Sequence, residues 1–297
     1  MSFMPPTTPS TTPPFVPQQT TVRKLGFFER LGIGWKLTKV SLGVIRKEKS
    51  LLLLPLISFL IIGISWAVFL ISIFLTVWPS GTFNVVVPFI VGLFVLYFLT
   101  YFVTTFFAAA VMGVAMIRLN GGNPTIGDGL RIAKQNIGRI LAWSIISATV
   151  GVILRALAER AGWIGRIIAA GAGLAWGILT YLVLPSLIFE QLGPWAAVKR
   201  SGSLIKKTWG EAAGGYLTMS AIFVLFGLVG LLFIIIGVAI GTVTAIVLMA
   251  LVAIVYWLIL ALVASAAQGV LVTALYRYAT TGQVADGFPT GPLGMHY

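Results

Sequence analysis

Four stretches of this chain, Leu51 to Val77, Val85 to Ile117, Gly214 to Ile236 and Thr242 to Leu275, stay apolar for longer than the roughly 20 helical residues that cross a hydrocarbon core. A soluble domain has no interior large enough for four such helices. Two further apolar runs, near 140–158 and 163–187, bring the expected number of spans to six. Composition agrees: 59% of residues are hydrophobic and 9% charged, against about 45–50% apolar residues in soluble chains. Mean hydropathy is +1.03. The expected fold is therefore an all-α polytopic membrane bundle.

Two runs are not simple spans. Between Arg139 and Arg155 lie only fifteen residues, ILAWSIISATVGVIL, or about 22 Å of helix. That is short for a bilayer, so the helix is expected to continue through Arg155 to Glu159. Pro88 to Ile117 makes about 45 Å as one helix and must tilt or project beyond the bilayer.

Charge placement predicts orientation. Of the 20 Lys and Arg, seventeen fall before the first span, after the second and fourth, or after the last. The links Trp78 to Asn84 and Gly237 to Gly241 carry none. Basic residues beside spans mark the cytoplasmic side, so both termini are expected in the cytoplasm of a multi-pass cell-membrane protein. Residues 1–22 hold six prolines and almost nothing to bury, which predicts a disordered tail. Residues 280–297 read as a second flexible tail, leaving 23–279 as the membrane domain.

Within that domain three units repeat, each a basic amphipathic helix followed by a hairpin of two spans, over about 27–117, 125–187 and 194–275. At an offset of 160, Trp35, Lys39, Val44, Ile45, Arg46 and Lys47 meet Trp195, Lys199, Leu204, Ile205, Lys206 and Lys207. At an offset of 95, Lys36 and Lys39 meet Arg131 and Lys134. All three basic helices fall on one side, so the repeats are parallel, which allows a pseudo-threefold axis along the membrane normal. At about 100° per residue, Lys36, Lys39, Arg46 and Lys47 form one stripe, a pattern suited to a helix on a membrane surface. Thr125 with Asp128 reads as a capping box, and Gly193-Pro194 as a helix start.

These cations define the candidate site. Lys36, Lys39, Arg46, Lys47, Arg131, Lys134, Lys199, Lys206 and Lys207 are expected to bind anionic lipid or a protein partner, with Trp35 and Trp195 as interfacial anchors. Nucleic acid is not expected, since no aromatic platform accompanies the cations. On the opposite side Arg155, Glu159, Arg160 and Arg166 form the one charge cluster, read as an Arg–Glu pair at i, i+4 with snorkelling arginines. Glu190 is expected to pair with Arg139 or Arg131. Gly173/Gly177 and Gly237/Gly241 have the spacing of close helix packing, and Gln268 is expected to bond between helices.

Catalytic chemistry has little to stand on. There is no cysteine, the one histidine, His296, lies in the final tail, and seven acids are scattered along the chain. No phosphate loop, dinucleotide fingerprint, metal-ligand spacing or nucleophile elbow appears. No metal or cofactor is expected, and an enzyme is not expected.

FFERLGIGWKLTKVSLGVIRKEKSLLLLPLISF, GDGLRIAKQNIGRILAWSIISATVGVILR and LPSLIFEQLGPWAAVKRSGSLIKKTWGE together resemble an uncharacterised prokaryotic family of multi-pass membrane proteins, over about residues 27–275. A looser likeness is to the membrane domain attached to some glycerophosphodiester phosphodiesterases. The resemblance implies six spans and supplies no catalytic residues; the soluble phosphodiesterase barrel has no counterpart here. Two functions remain in view. One is a non-enzymatic protein that organises lipids, a membrane complex or a homo-oligomer through its basic helices. The other is a small-solute transporter or channel with a basic outer vestibule, which requires a polar cavity between the hairpins.

Overall fold

The computed structural model describes residues 27–80, 86–160, 162–207 and 209–283. The tail expected at 1–22 lies outside the described residues, as does the C-terminal tail from 284 onward. Among the described residues the chain forms ten α-helices and no strand. Helix α1 (Phe27–Lys47) precedes a hairpin of α2 (Ser50–Ser80) and α3 (Val86–Leu119). Helix α4 (Ile126–Gln135) precedes α5 (Ile137–Arg160), α6 (Gly162–Thr180) and α7 (Val183–Phe189). Helix α8 (Pro194–Lys207) precedes α9 (Trp209–Ile240) and α10 (Val243–Thr281). Six segments are long and apolar enough to cross a membrane: α2, α3, α5, α6 with α7, α9 and α10. The chain is a multi-pass membrane protein.

Local chemistry explains the boundaries. Helix α5 does run on through Arg155, giving about 36 Å of helix. The fourth apolar run, expected as one span over 163–187, is one candidate span, Gly162–Phe189, whose helix is broken between Thr180 and Val183. Pro185 is the cause, because it has no N–H for the Tyr181 carbonyl and its ring crowds that oxygen. The side-chain oxygen of Ser201 on α8 accepts from the Leu182 N–H at 3.1 Å, so the break is held by a neighbour. At the far end of the third hairpin, Gly241 takes φ +77° and Thr242 caps α10 by accepting from the Ala245 N–H at 3.2 Å. That turn also accounts for the spacing of Gly237 and Gly241. A β-carbon at Gly237 would lie 2.9 Å from Met249 Cβ, within the hairpin itself.

The core lies at one end of the molecule, here termed the base; the hairpin turns form the tips. Leu51 and Leu54 of α2, Ala109, Ala110, Val111, Val114 and Ala115 of α3, and Ala266, Ala267, Val270 and Leu271 of α10 are buried together with Ile140, Leu182, Leu204 and Ile205. Small residues let these helices approach closely, as membrane helices do when lipid supplies no hydrophobic drive between them. A β-carbon at Gly129 would sit 2.6 Å from the Ala110 carbonyl oxygen, and one at Gly269 would sit 2.5 Å from Val111 Cγ1. Toward the tips each hairpin packs chiefly on itself. Leu60, Ile64, Val68, Ile71 and Leu75 of α2, and Val247, Leu251, Ile254 and Leu258 of α10, are exposed, which suits helices whose solvent is lipid.

The short helices pack chiefly on a hairpin other than the one that follows them. Helix α4 packs on α3, α8 on α6 and α7, and α1 on α9 and α10. For α1 this differs from a helix resting on lipid alone. Thr38, Ser41 and Ile45 turn inward and are buried, Ile45 joins the basal core, and the Trp35 ring stands 6.2 Å from that of Phe226 on α9.

Candidate functional site

Positions matched by the two offsets share their burial. Thr38, Ala133 and Val198 are buried on α1, α4 and α8. One turn further on, Ser41, Asn136 and Ser201 are also buried, followed by Ile45, Ile140 and Ile205. Each series thus has Thr, Ala or Val, then a polar residue, then an isoleucine, at spacings of three and four; in the second series Asn136 caps α4 and Ile140 lies in the first turn of α5. The polar member reaches the neighbouring hairpin in two of the three helices. Ser201 accepts from Leu182 N–H, and Asn136 Nδ2 donates to the Ile188 carbonyl at 3.5 Å. Ser41 Oγ is buried without a partner among the described residues. Extending the alignments to Ser41 would have found this residue class in the sequence.

On the opposite faces the cations stand in the open. Lys36, Lys39, Arg46, Lys47, Arg131, Lys134, Lys199 and Lys206 are all exposed; the Lys207 side chain lies outside the described residues. Among the described residues, Arg131 is the one of these cations paired with a carboxylate, Asp128 of its own helix. Lys39 holds its ammonium 5.2 Å above the Trp35 ring, a cation–π contact. Trp35 and Trp195 are both exposed.

The capping box at α4 forms as read. Asp128 N–H donates to Thr125 Oγ1 at 3.2 Å, and the Thr125 N–H donates to Asp128 Oδ2 at 2.9 Å. The Thr125 hydroxyl and backbone hold the Asp128 carboxyl below its ordinary value of 3.8, with a smaller contribution from the Arg131 guanidinium. Gly202 allows α8 onto α6, since a β-carbon there would meet Leu179 Cδ1 at 2.9 Å.

Glu190 pairs with neither Arg139 nor Arg131. Arg139 donates instead to Asn136 Oδ1 at 2.8 Å. Arg200 Nε bisects the Glu190 carboxylate at 2.9 Å from each oxygen, and Tyr276 Oη donates to Glu190 Oε1 at 2.9 Å. The reason is a chain reversal: Gln191 takes φ +54°, which turns the chain after α7 and sets α8 alongside it. This network joins α7, α8 and α10, and Tyr276 had no signal in the sequence. Arg277 adds a tie from α10 to the Leu119 carbonyl at the end of α3.

Near the tips, Arg155 Nε meets Glu159 Oε1 at 3.0 Å with both side chains well exposed. Arg166 is also exposed, and the Arg160 side chain lies outside the described residues. The acids do not converge: Asp128, Glu159 and Glu190 each pair with an arginine on a different part of the molecule. Among the described residues, a β-carbon at Gly173 would meet only Leu154 Cδ1, at 3.8 Å, and one at Gly177 nothing within 4 Å. Gln268 is exposed and lines a cavity of about 180 Å³ with Met219, Ser220, Phe223, Ala264 and Leu271. The interhelical hydrogen bond expected of it does not form among the described residues.

Residues 86–288 match a family model described as "Family of unknown function (DUF6159)". No curated protein matches the chain, and no solved structure matches it.

Proposed function

The chain belongs to DUF6159, a family of unknown function, and we propose that it is a non-enzymatic scaffold of the cell membrane that gathers anionic lipids, or a complex assembled on them, at the cytoplasmic leaflet. The observation that carries this reading is the shared division of α1, α4 and α8 into a buried stripe at matching positions and an exposed row of cations. Three helices with the same division, each packed on the hairpin preceding it in a ring, support three parallel repeats of a basic amphipathic helix and a hairpin. Helix α4 covers the first hairpin, α8 the second, and α1 returns to cover the third. The membrane domain then spans 23–279, with both termini on the side where seventeen cations lie, the cytoplasmic side by charge bias.

Cations near an anionic leaflet attract it by about 1 kcal/mol each. Apart from Arg131, which pairs with Asp128, the described cations of the row have no carboxylate partner and keep that attraction for an external anion. The basal core of Ala, Val and Leu that closes α3 against α10 weighs against a solute path between the hairpins. The test is lipid selectivity of the reconstituted protein, read by electron paramagnetic resonance with spin-labelled phosphatidylglycerol and phosphatidylcholine. Wild type is expected to prefer phosphatidylglycerol several-fold, and replacement of Lys36, Lys39, Lys199 and Lys206 by glutamine to remove most of that preference. An unchanged preference in the quadruple variant would overturn the reading.

A further inference from the structure

We propose that the crevice between α3, α5 and α10 holds the head of a neutral quinone, whose ring carbonyls accept from the hydroxyls of Tyr97, Tyr101 and Ser147. This site goes beyond the lipid-scaffold reading and does not depend on it.

The crevice follows from two stripes that face each other. At about 100° per residue, Val111, Thr104, Tyr97 and Ile90 lie on one face of α3, and Thr273, Gly269, Leu262, Val255 and Leu251 on one face of α10. At the base the two faces touch: a β-carbon at Gly269 would sit 2.5 Å from Val111 Cγ1, and Val111, Gly269 and Thr273 are buried. Two turns tipward Thr104 is exposed and Leu262 half-buried, and beyond them Tyr97, Ile90, Val255 and Leu251 are all exposed. The hairpins therefore part above the basal core, and the gap widens toward the tips.

Helix α5 supplies the third wall. Ser147 and Gly151, one turn apart, share the face that meets α3. The Tyr97 hydroxyl rests over Gly151, 3.3 Å from where a β-carbon would stand, and the Tyr97 and Tyr101 rings lie 6.4 Å apart. Ser147 Oγ is buried and makes no hydrogen bond among the described residues, although the Tyr101 hydroxyl is close enough to interact with it. A buried hydroxyl inside a bilayer is costly unless something bonds it.

Depth and charge select the ligand. Ser147 lies eight residues from both Arg139 and Arg155, about 12 Å of helix each way. Both arginines reach away from it, Arg139 to Asn136 and Arg155 to Glu159, so Ser147 stands near mid-bilayer. The walls carry no charge at that level: α3 from Val86 to Ile117, α5 between the two arginines, and α10 from Val243 to Tyr276 contain no Lys, Arg, Asp or Glu. A phospholipid head would leave its ions unpaired there. A quinone is uncharged, dissolves in the bilayer and presents only acceptors on a flat ring. Hydroxyl donors match its carbonyls, the exposed Tyr97 ring gives it a stacking face, and Leu251, Val255 and Leu262 line a path for its tail.

The test is thermal unfolding of the full-length protein in detergent, titrated with decylubiquinone. Wild type is expected to show a rise in Tm that saturates, and decylbenzene, which has the ring and tail without the carbonyls, to give none. The paired change Tyr97→Phe with Ser147→Ala, which removes two donors and adds no bulk, should require about tenfold more quinone for the same rise. Thr104→Phe, which fills the crevice where it narrows, should abolish the response; if that variant does not fold, the paired variant decides. Both variants should keep the preference for spin-labelled phosphatidylglycerol, which belongs to the cationic base, so the site and the scaffold reading fail separately. No saturable rise in wild type, an equal response in the paired variant, or an equal response to decylbenzene would overturn the site.

Discussion

Glu190 shows how a single acid can serve architecture in a chain with few charges. Its carboxylate is held by Arg200 and Tyr276 and is partly buried, with 27% of the side chain exposed. Removing one partner leaves the remaining charge short of compensation, which costs more than the pair contributes on balance. Arg200→Ala is expected to destabilise the detergent-solubilised protein by about 1–2 kcal/mol, and Tyr276→Phe by about 0.5–1.5 kcal/mol. Thermal unfolding followed by circular dichroism checks both, and no loss in either variant would mean that the network does not tie α10 to the base. That Glu190 needs an arginine was legible, but not which one. Helical spacing predicts partners only along a continuous helix, whereas Arg200 reaches Glu190 across the reversal at Gln191. For Asp128 the capping partner Thr125 was legible, whereas its pairing with Arg131 was not read, although both lie within three residues.

At the scale of elements, the same locality decides what can be read. The start of α4 follows from Thr125 and Asp128, and its pH response follows too. Because the folded carboxyl is held below its ordinary value of 3.8, its support for the first turn is complete above that value. It is lost as pH falls through the lower folded value. Hydrogen exchange of the Asp128 and Gly129 amides, which donate to Thr125, relative to their intrinsic rates, is expected to stay slow at neutral pH and to rise only below the ordinary carboxylate range. Asp128→Asn should raise it above the carboxylate range, match wild type below that range and remove the step, and a wild-type step near neutrality would contradict the assignment. The break before α7 was present in the sequence as Pro185 but was hidden by the continuous apolar run around it. The docking of α1 on α9 and α10 was not legible. Its basic stripe marks the side that stays in the open, and nothing local to residues 27–47 identifies a partner some 180 residues onward.

At the scale of the whole molecule, six spans were legible because length and hydropathy are set by the bilayer. Which hairpins touch was not, since the outer faces of membrane spans carry apolar residues all round and lipid satisfies them as well as protein does. The basal core is distinguished instead by small residues, such as Ala109, Ala110, Ala266 and Ala267, whose burial depends on close approach rather than on hydrophobicity. The lipid reading requires that this base, with its exposed cations, face the cytoplasm. The chain has no cysteine, so single cysteines at Lys134, Lys206 and Arg166 give unambiguous reporters for a membrane-impermeant maleimide. Arg166→Cys is expected to label in intact cells, while Lys134→Cys and Lys206→Cys label only after permeabilisation; labelling of the two basal positions in intact cells would contradict the account.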